Sequence, residues 1–584
     1  MVMGKRAFVP AMNLIGVHSK KKVPTAHTSL EIIEIRYGKI THIVFIFFCL
    51  ATNLLSCCTM ILSAASAISI IAGNLHIVAA TMLIPLGVLI YTTFSGLKGT
   101  FITDFAHTLV LLIVLCYINT AVLSSEKVGG LNNLWTRVTE AAKNKYIEGN
   151  YEGSFLTGKS ENGFIFALVL TIGNFGLTIS DSSFWQKSFS ARPEATFPGY
   201  LTASIAILSN AWSIGAILGS ATLFLENDPS FPTYPRKMTQ YEIESGFPLP
   251  YIVKATLGKS SVGAILLVIY LSVTSTVSAQ MISVSSIISY DIYKKYIHPK
   301  ANNKQVIRIS HLSVVAFGLF SAGFSIMLHY VGVTMTWMGY FISNVICVAV
   351  FPLALSILWD RQTRIAATVS PIIGIISSFI VWILVSRKFA NGVINATTLS
   401  AQVPCLYSGL TALFLPGILS VIISLAYKPY KYDWNKFKEA QLVIASEKAN
   451  ESQEDSTSNN SVNQKLDEKN NNYSVEETSQ KDIELESLEL AEKTDRLLNK
   501  YIKLATIAFI VTLLLTWVIW PCAMYRDWIM TEAYYKGYIV VGLIWLYATL
   551  IVIGLFPIWE GRHAIKIIVK GLYRDYIKRE KPQN

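Results

Sequence analysis

Charged residues are scarce in this sequence. Asp, Glu, Lys and Arg make up only 15% of its 584 residues, whereas 52% are hydrophobic. Soluble domains carry about 25% charged residues, so a chain of this length with so few is not a soluble globular protein. The low charged fraction and high hydrophobic fraction predict an all-α polytopic membrane protein, in which most of the chain forms helices that span the bilayer.

Motifs that mark catalysis are absent as well. The sequence has no HExxH, no GxxxxGK[ST] and no GxSxG, and its nine histidines are scattered. Nothing therefore indicates a metalloprotease, a P-loop enzyme or a serine hydrolase. Residues 1–24 are basic and lack an apolar core, which argues against a cleavable signal peptide. We predict a protein that is not an enzyme and holds no cofactor.

Cysteine is rare, and its spacing argues against the usual cysteine chemistry. The seven cysteines show neither paired spacing nor a CxxC motif, and most lie inside apolar runs: Cys49, Cys57, Cys58, Cys116, Cys347, Cys405 and Cys522. Neither a disulfide scaffold nor a cysteine metal site is indicated. We predict buried free thiols.

Long apolar runs are what the sequence has in abundance. About twelve are long enough to cross about 30 Å of hydrocarbon, at residues 40–72, 75–96, 101–123, 163–187, 199–225, 260–290, 308–330, 333–358, 363–386, 404–427, 501–521 and 537–558. The first run is longer than a span requires, which predicts a bent end near Gly73.

The apolar runs divide the chain into five parts. We predict a cytoplasmic N-terminal segment at 1–39, a transmembrane core at 40–427, a cytoplasmic linker at 428–500, two C-terminal spans at 501–558 and a basic tail at 559–584. Residues 440–495 are rich in Asn, Ser, Glu and Lys, so most of the linker is predicted to be disordered. Short amphipathic helices are predicted beside the membrane at Ser29–Gly38 and Asp482–Leu498.

Basic residues are distributed unevenly between the two sets of loops. Most of the 49 Lys and Arg residues fall in the set that contains both termini, 97–100, 188–198, 291–307, 359–362 and 428–500. The positive-inside rule therefore predicts that both termini are cytoplasmic. These loops account for the net charge of +12. The predicted partners are accordingly the lipid bilayer and a small solute, with no nucleic acid.

Small hydroxyl residues form a stripe in the run that ends near Tyr293. On a helical pitch one face holds Ser272, Ser275, Thr276, Ala279, Ser283 and Ser286. Lipid cannot satisfy hydroxyl groups, and two interpretations remain open. Each hydroxyl could bond to the carbonyl four residues earlier in a closely packed helix, or Ser275, Thr276 and a nearby carbonyl could bind a hard cation. Asp291, at the end of the stripe, is predicted to meet the cytoplasm.

A tight cytoplasmic turn, SGLKGT at residues 95–100, precedes Thr103, Asp104 and His107. Asp104 is close to the positive end of the helix that follows. It is either a helix-start residue or a participant in transport, and the sequence alone leaves both interpretations open. His107 is predicted to be a packing residue.

Asn174 is flanked by Gly173 and Gly176 in the middle of an apolar run. Such glycines permit a broken helix with exposed backbone groups, and the Asn174 amide can both donate and accept hydrogen bonds. These properties suit an uncharged amide substrate. Asp181, nearer the cytoplasm, is a second substrate-binding candidate. Trp185 and Lys187 are predicted to anchor the helix at the membrane interface.

Three motifs together resemble the sodium:solute symporter family: SGLKGTFITDFAH, GNFGLTISDSSFWQKSFSARP and VTSTVSAQMISVSSIISYDIY. The likeness is greatest to the fungal and plant urea active transporters, and the lead-in AHTSLEII, followed by Arg36, Tyr37 and Gly38, is similar as well. The resemblance covers roughly residues 24–430. It implies a LeuT-type inverted-repeat fold that works by alternating access.

The resemblance also implies roles for individual residues. Ser275 and Thr276, with the Ser272 carbonyl, match the family's cation-binding groups. Asn174 matches a substrate-contacting asparagine, and Asp104 matches an acidic residue on the inner ion exit path. The implied activity is uptake of urea, with polyamines as further substrates, driven by a Na⁺ or H⁺ gradient at the plasma membrane.

One departure from the family pattern is evident. In the family, the lead-in around Glu31 follows an extra helix and two core helices, whereas here it follows residues 1–25, which are polar. We therefore expect a LeuT-type fold that lacks the first two core helices. Either residues 1–23 are a spurious start of an incomplete gene model, or the chain is a degenerate transporter.

Several functions follow from these alternatives. A degenerate transporter would act as a receptor or a partner subunit. A passive urea channel is another alternative, and so is a symporter of proline or another small nitrogenous solute. The leading prediction is a symporter of urea.

Overall fold

Helices joined by turns and loops make up the described part of the chain, which contains no strand and one isolated bridge, between Asn150 and Ser160. The computed structural model describes residues 8–24, 26, 28–73, 75–258, 261–427, 431–435, 477–563, 566, 567 and 570. Much of the linker predicted at 428–500, and most of the basic tail predicted at 559–584, lie outside the described residues.

The helices are numbered in chain order. The first half contains α1 (Phe8–Lys22), α2 (Ser29–Tyr37), α3 (Lys39–Ala72), α4 (Ile77–Thr93), α5 (Gly99–Ser124), α6 (Gly130–Asn144), α7 (Glu161–Ile179), α8 (Ser182–Ser190) and α9 (Pro193–Leu225). The second half contains α10 (Gln240–Glu244), α11 (Pro248–Leu257), α12 (Val262–Ile297), α13 (Asn303–Val331), α14 (Met335–Leu358), α15 (Arg364–Phe389), α16 (Gln402–Ala426), α17 (Glu477–Leu513, continuing to Met524) and α18 (Glu532–Glu560). Helical turns at Tyr151–Gly153 and Ala396–Leu399 are shorter.

Among the described residues, 11 helices are long and apolar enough to cross a membrane, and α4 is a shorter apolar helix. The prediction of about twelve spans is confirmed. The lead-in at Ser29–Gly38 is helical, as predicted, and ends at Gly38. α3 is one uninterrupted helix of 34 residues. The feature predicted as a bend near Gly73 is therefore the end of that helix, where Gly73 has φ 75°.

α4 and α5 meet at a kink and not in an open loop. Helical hydrogen bonding runs across the junction, but Gly96 has φ 55° and ψ −153°. This backbone conformation is open essentially only to glycine. The chain therefore changes direction within SGLKGT, and Asp104 lies near the start of α5.

α1 is buried, although the sequence predicted a polar N-terminal segment. Val9, Met12, Ile15 and Val17 are at most 3% exposed, and α1 packs against α17, α9 and α7. The basic residues of α1 are concentrated in its last turn. Because they dominate the composition of the whole segment, the composition does not reveal the apolar face. α1 forms part of the core, so the description of this segment as polar is wrong for its buried face.

Within the residues that the structure describes, four spans contain π-helical segments. These lie at Ile214–Gly219 in α9, Ile287–Ile297 at the end of α12, Leu514–Ile519 in α17 and Leu550–Leu555 in α18. π-Helical turns are uncommon and occur frequently at functional sites. The first segment lines the cavity described below, and the second carries Asp291.

The two C-terminal spans join the core through Trp212 of α9. Its indole ring lies 4.7 Å from the ring of Tyr538 and 5.6 Å from that of Trp520, and its Nε1 donates to Tyr538 O (3.1 Å). A Cβ placed on Gly542 would be 3.0 Å from Trp212 Cδ1. The small residue at 542 therefore lets α18 approach the indole closely.

The seven cysteines are all free thiols. Six of them are buried, as predicted, because they lie inside apolar helices. Cys522 is exposed, so the prediction of a buried thiol is wrong at that position. It lies near the end of α17, where few side chains of the bundle surround the helix.

The loop between α9 and α12 is held by Glu242. Both of its carboxylate oxygens accept from the Arg236 guanidinium at 2.7 Å, and Thr239 N donates to Glu242 Oε2 at 2.7 Å. These bonds, chiefly those from Arg236, hold the pKa of Glu242 at about 2. A lowered carboxyl pKa stabilises the fold above the ordinary value of 4.5. That contribution is lost as the pH falls through this range towards the folded-state pKa.

We expect Glu242→Gln to lower the free energy of unfolding at neutral pH by about 1–2 kcal/mol, because the Arg236 side chain is half exposed and its charge is screened. Thermal unfolding of the purified protein at several pH values measures the difference from wild type, which should shrink below about pH 4.5. Glu148→Gln, at an exposed glutamate, is the control. Equal melting temperatures for wild type and Glu242→Gln at neutral pH would contradict the prediction.

Candidate functional site

A cavity of about 480 Å³ lies between α3, α7, α9, α14 and the segment after α9 that contains α10 and α11. Most of its lining is apolar, and no lining residue in the described part of the chain is charged. The four long helices contribute Ser56, Thr59, Met60, Phe166, Leu170, Gly173, Asn174, Leu177, Ile214, Gly215, Leu218, Gly219, Thr222, Met335, Thr336, Gly339 and Ile342. The segment between α9 and α12 contributes Ile243 of α10, Gly246, and Pro248 and Leu249 of α11. The volume is typical of a site for a small molecule.

Hydroxyl groups on the cavity wall donate their protons to the backbone. Thr59 Oγ1 and Thr222 Oγ1 each donate to the carbonyl four residues earlier, at 2.7 and 2.8 Å, and Thr336 Oγ1 donates to Glu244 O at 3.0 Å. A hydroxyl bonded in this way keeps only acceptor lone pairs for a ligand. The wall therefore offers acceptors to a solute that is rich in N–H donors.

Asn174 lies on the cavity wall, at the position where the sequence predicted a substrate contact. One N–H of its amide donates to Leu170 O at 2.6 Å. The second N–H and the carbonyl oxygen remain as a donor and an acceptor. Asn174 is thus the most versatile hydrogen-bonding group among the residues that line the cavity.

The helix that carries Asn174 is not broken at the glycines beside it. α7 is continuous over Glu161–Ile179, so the predicted break at Gly173 and Gly176 is wrong. These glycines instead let α14 approach α7, because a Cβ on Gly176 would be 2.6 Å from Ile346 Cγ1. The break occurs further along the chain, at residues 180–181, between α7 and α8.

Asp181 occupies this break and lies away from the cavity lining. Its Oδ1 accepts from Ser183 N at 2.7 Å and caps α8, while its Oδ2 accepts from Gln280 Nε2 of α12 at 2.6 Å. The residue is 3% exposed. The structure therefore does not bring Asp181 together with Asn174 at the cavity, and it gives Asp181 a contact between α8 and α12.

Asp104 lies in a charged cluster that joins α5, α8 and α12. Lys187 Nζ is 2.8 Å from Asp104 Oδ2, and Ser275 Oγ donates to Asp104 Oδ1 at 2.5 Å. The predicted cation ligand Ser275 and the predicted exit-path residue Asp104 are thus direct neighbours. The Lys187 ammonium group lies beside them and supplies the cationic partner of the carboxylate.

The other two predicted cation ligands form a separate contact. Thr276 Oγ1 donates to Ser272 O at 3.2 Å, which is the bond to the preceding turn that the packing interpretation describes. Ser272 is exposed, whereas Ser275 and Thr276 are half-buried. The hydroxyls of the stripe thus make two kinds of hydrogen bond. Thr276 donates within its own helix, and Ser275 donates to Asp104 of α5.

Trp185 and Lys187 do not anchor the protein at the membrane interface. Trp185 is 1% exposed, and its Nε1 donates to Ile179 O at 2.7 Å. Lys187 pairs with Asp104 inside the bundle. The prediction is wrong for both residues because the break before α8 turns this short helix back into the protein.

Asp291 is buried, at 6% exposure, and does not meet the cytoplasm as predicted. Its Oδ1 lies 3.5 Å from Nε2 of His42, a fully buried residue in the first turn of α3. Sequence reasoning missed His42. The available signal was an ionisable residue just inside a long apolar run, where such residues are costly.

Comparisons with known proteins agree with this architecture. The model of the sodium:solute symporter family matches residues 11–374. The chain is 34% identical over 561 residues to the probable urea active transporter 1 of Schizosaccharomyces pombe, covering 96% of this chain and 78% of the relative. It is 33% identical over 592 residues to the urea active transporter of Saccharomyces cerevisiae, covering 97% and 80%.

A plant relative and a solved structure extend the comparison. The urea-proton symporter DUR3 of Oryza sativa subsp. japonica is 31% identical over 449 residues, covering 74% of this chain and 61% of the relative. The structure of a Na⁺-coupled sialic acid symporter in a substrate-bound outward-open state superposes with a TM-score of 0.52 at 17% identity, covering 74% of this chain and 86% of that chain. This likeness concerns the fold and confirms the LeuT-type architecture.

Proposed function

This chain belongs to the sodium:solute symporter family, and from that membership we propose that it imports urea across the plasma membrane. Membership of the family makes the protein a multi-pass membrane transporter and not an enzyme. The observation that carries the choice of urea is the uncharged, acceptor-rich cavity around Asn174. The fungal and plant relatives are named as urea transporters, which supports the same substrate.

The hydrogen-bonding capacity of the cavity matches that of urea. Urea is a small neutral amide with N–H donors on both sides of one carbonyl oxygen. The lone pairs of Thr59 and Thr222 can accept from these donors, since both hydroxyl protons are already used by the backbone. The second N–H of Asn174 can donate to the urea carbonyl. Every polar atom of the substrate then has a partner of the correct kind.

Polyamines, which the resemblance implies as further substrates, suit this cavity less well than urea. They carry several positive charges at neutral pH, and a charge that enters an apolar cavity requires a counter-charge. The described residues that line the cavity include no aspartate or glutamate. We therefore propose urea as the principal substrate and rank polyamines below it.

The proposal includes a coupling ion, either Na⁺ or H⁺, that acts at Asp104 and Ser275. A carboxylate and a hydroxyl are suitable oxygen ligands for a hard cation and are equally able to hold a proton. Lys187 now provides the positive charge at Asp104. An incoming ion must displace the ammonium group of Lys187, so ion binding would free α8 from α5.

We expect Asn174→Ala to raise the KM for urea about tenfold, because one hydrogen bond to a substrate is worth about 1 kcal/mol or slightly more. Uptake of labelled urea by yeast that lacks its own urea carrier measures the change. Asn119→Ala is the matched control, since the Asn119 amide makes the same bond to the preceding turn (2.8 Å to Leu115 O) away from the cavity. An unchanged KM in Asn174→Ala would contradict the proposed site.

The same assay separates the alternative functions. Accumulation of urea above the external concentration, only while a Na⁺ or pH gradient is imposed, supports the symporter. Equilibration that ignores both gradients would identify a passive channel. No transport from a chain that reaches the cell surface would favour a receptor or partner subunit.

A further inference from the structure

His42 and Asp291 form a buried ionisable pair that the proposed substrate and ion sites do not use. His42 is 0% exposed and Asp291 is 6% exposed. His42 Nδ1 is 2.5 Å from Tyr296 OH, and His42 Nε2 is 3.5 Å from Asp291 Oδ1. Asp291 Oδ2 has no hydrogen-bond partner among the residues that the structure describes.

Packing alone does not explain this pair. Ionisable residues inside membrane spans are costly and usually functional, and an apolar pair could fill the same space without the cost. The separation of 3.5 Å between Nε2 and Oδ1 exceeds the usual hydrogen-bond range of about 2.7–3.2 Å. Together with the unpartnered Oδ2 of Asp291, it shows that this site can accept another proton without displacing an existing bond.

We propose that His42 and Asp291 form a proton-binding site between α3 and the π-helical end of α12. With a carboxylate and a neutral imidazole the pair carries one negative charge. A proton from water adds to the unpartnered Oδ2 of the Asp291 carboxylate, and the pair becomes neutral overall. When the proton returns to water, the negative charge is restored, and no other bond in the protein is made or broken.

A line of buried polar groups connects this site to the break between α7 and α8. Cys49 of α3 is buried and lies within electrostatic reach of both Asp181 and Asp291. Gln280, which donates to Asp181, lies on α12, the helix that also carries Asp291. Protonation at Asp291 therefore changes the field at the point where α7 ends, and α7 carries Asn174. This inference rests on the proposed function, since it assigns a proton to the transport cycle.

The surroundings of the pair contain further ionisable groups. Glu31 and Glu34 of α2 act electrostatically on Asp291. The Lys295 ammonium is paired with Glu34 at 2.7 Å, and Lys39 lies over the ring of Tyr296. The helix packed against this end of α12 carries Lys304, Arg308 and His311, all of them exposed. Glu34 and Lys295 are thus paired with each other, while His42 and Asp291 are buried together.

Infrared titration of the purified full chain in lipid nanodiscs tests the site without any transport measurement. Wild type is expected to gain the carbonyl stretch of a protonated carboxylic acid as the pH is lowered. Asp291→Asn should lose this band, and His42→Gln should move its midpoint by at least about one pH unit. Glu34→Gln, which removes a carboxylate at the same end of α12, should leave the band in place. A titration of Asp291→Asn that is identical to wild type would overturn the proposal.

Transport measurements then test whether the proton is coupled. We expect Asp291→Asn to reduce accumulation of urea driven by a pH gradient about tenfold, while exchange of labelled for unlabelled urea at equal pH is retained. Equal loss of both activities in a folded variant would overturn a coupling role and indicate a structural pair. If wild type does not transport urea, the proposed function fails, and the infrared titration still decides the proton site. If Asp291→Asn does not fold, the midpoint in His42→Gln decides it.

Discussion

Asp104→Asn is expected to reduce ion-driven accumulation of urea about a hundredfold, because it removes the carboxylate proposed to bind the coupling ion, and an interaction with a charged group is worth up to about 3 kcal/mol. The asparagine can still accept from Ser275, but it supplies no negative charge to an ion. The Lys187 ammonium, now without its carboxylate, would stay beside Ser275 and repel any cation that approaches. Labelled urea uptake under an imposed Na⁺ or pH gradient measures the accumulation ratio.

Variants of Lys187 and Ser275, the two neighbours of Asp104, distinguish repulsion of the ion by Lys187 from the loss of an oxygen ligand. The double variant Asp104→Asn with Lys187→Gln removes both charges, so it should reach the cell surface more efficiently than Asp104→Asn and still fail to accumulate urea. Ser275→Ala removes one oxygen ligand and leaves the ion pair with Lys187, so a smaller loss of about tenfold is expected. Wild-type accumulation in Asp104→Asn would show that the cluster has no part in coupling.

Gly176→Val is expected to abolish production of folded protein. A Cβ at this position would lie 2.6 Å from Ile346 Cγ1 and 2.9 Å from Cys347 Sγ, and valine adds two more methyl groups to that contact. Ile346 and Cys347 are fully buried and have no space into which to move. Overpacking of this kind costs about 3 kcal/mol or more. The fraction of protein at the cell surface and the elution profile in detergent measure the outcome.

Gly339→Val provides the matched control. Gly339 lies on α14, the helix that faces Gly176 of α7, and it lines the cavity. No heavy atom lies within 4 Å of a Cβ built there. This variant should therefore fold normally, while its valine takes up part of the space proposed for urea. Surface amounts of Gly176→Val equal to those of Gly339→Val would show that α7 and α14 are not packed as the structure indicates.

The spans were predictable because one physical requirement, an apolar length sufficient for the bilayer, determines them nearly alone. The place of Asn174 on the cavity wall followed from a similar argument, since an amide in an apolar run needs a polar partner. The pairing of Lys187 with Asp104 was not predictable from composition. These residues are far apart in sequence, and a lysine near the end of an apolar run looks like an interface anchor until the break at residues 180–181 is known.

α1 shows a second limit of sequence reasoning. Its last turn contains Lys20, Lys21 and Lys22, and averaging over the segment makes the whole helix look polar. The buried face that includes Met12 and Ile15 becomes apparent only when each position is considered separately. The family resemblance contributed to the error, because it directed attention away from the residues of α1 themselves.

The π-helical segments have a consequence for comparing this chain with other proteins. A π-helical turn closes its hydrogen bonds over one more residue than an α-helical turn, and one residue corresponds to about 100° of rotation on an α-helix. Each segment therefore shifts the angular phase of every position that follows it in the same span. Beyond Ile214–Gly219 and within Ile287–Ile297, a helical wheel drawn at constant pitch assigns side chains to the wrong face. A single-residue insertion or deletion there would turn the side chain of Thr222 or Asp291 to another face of its helix without substituting any residue.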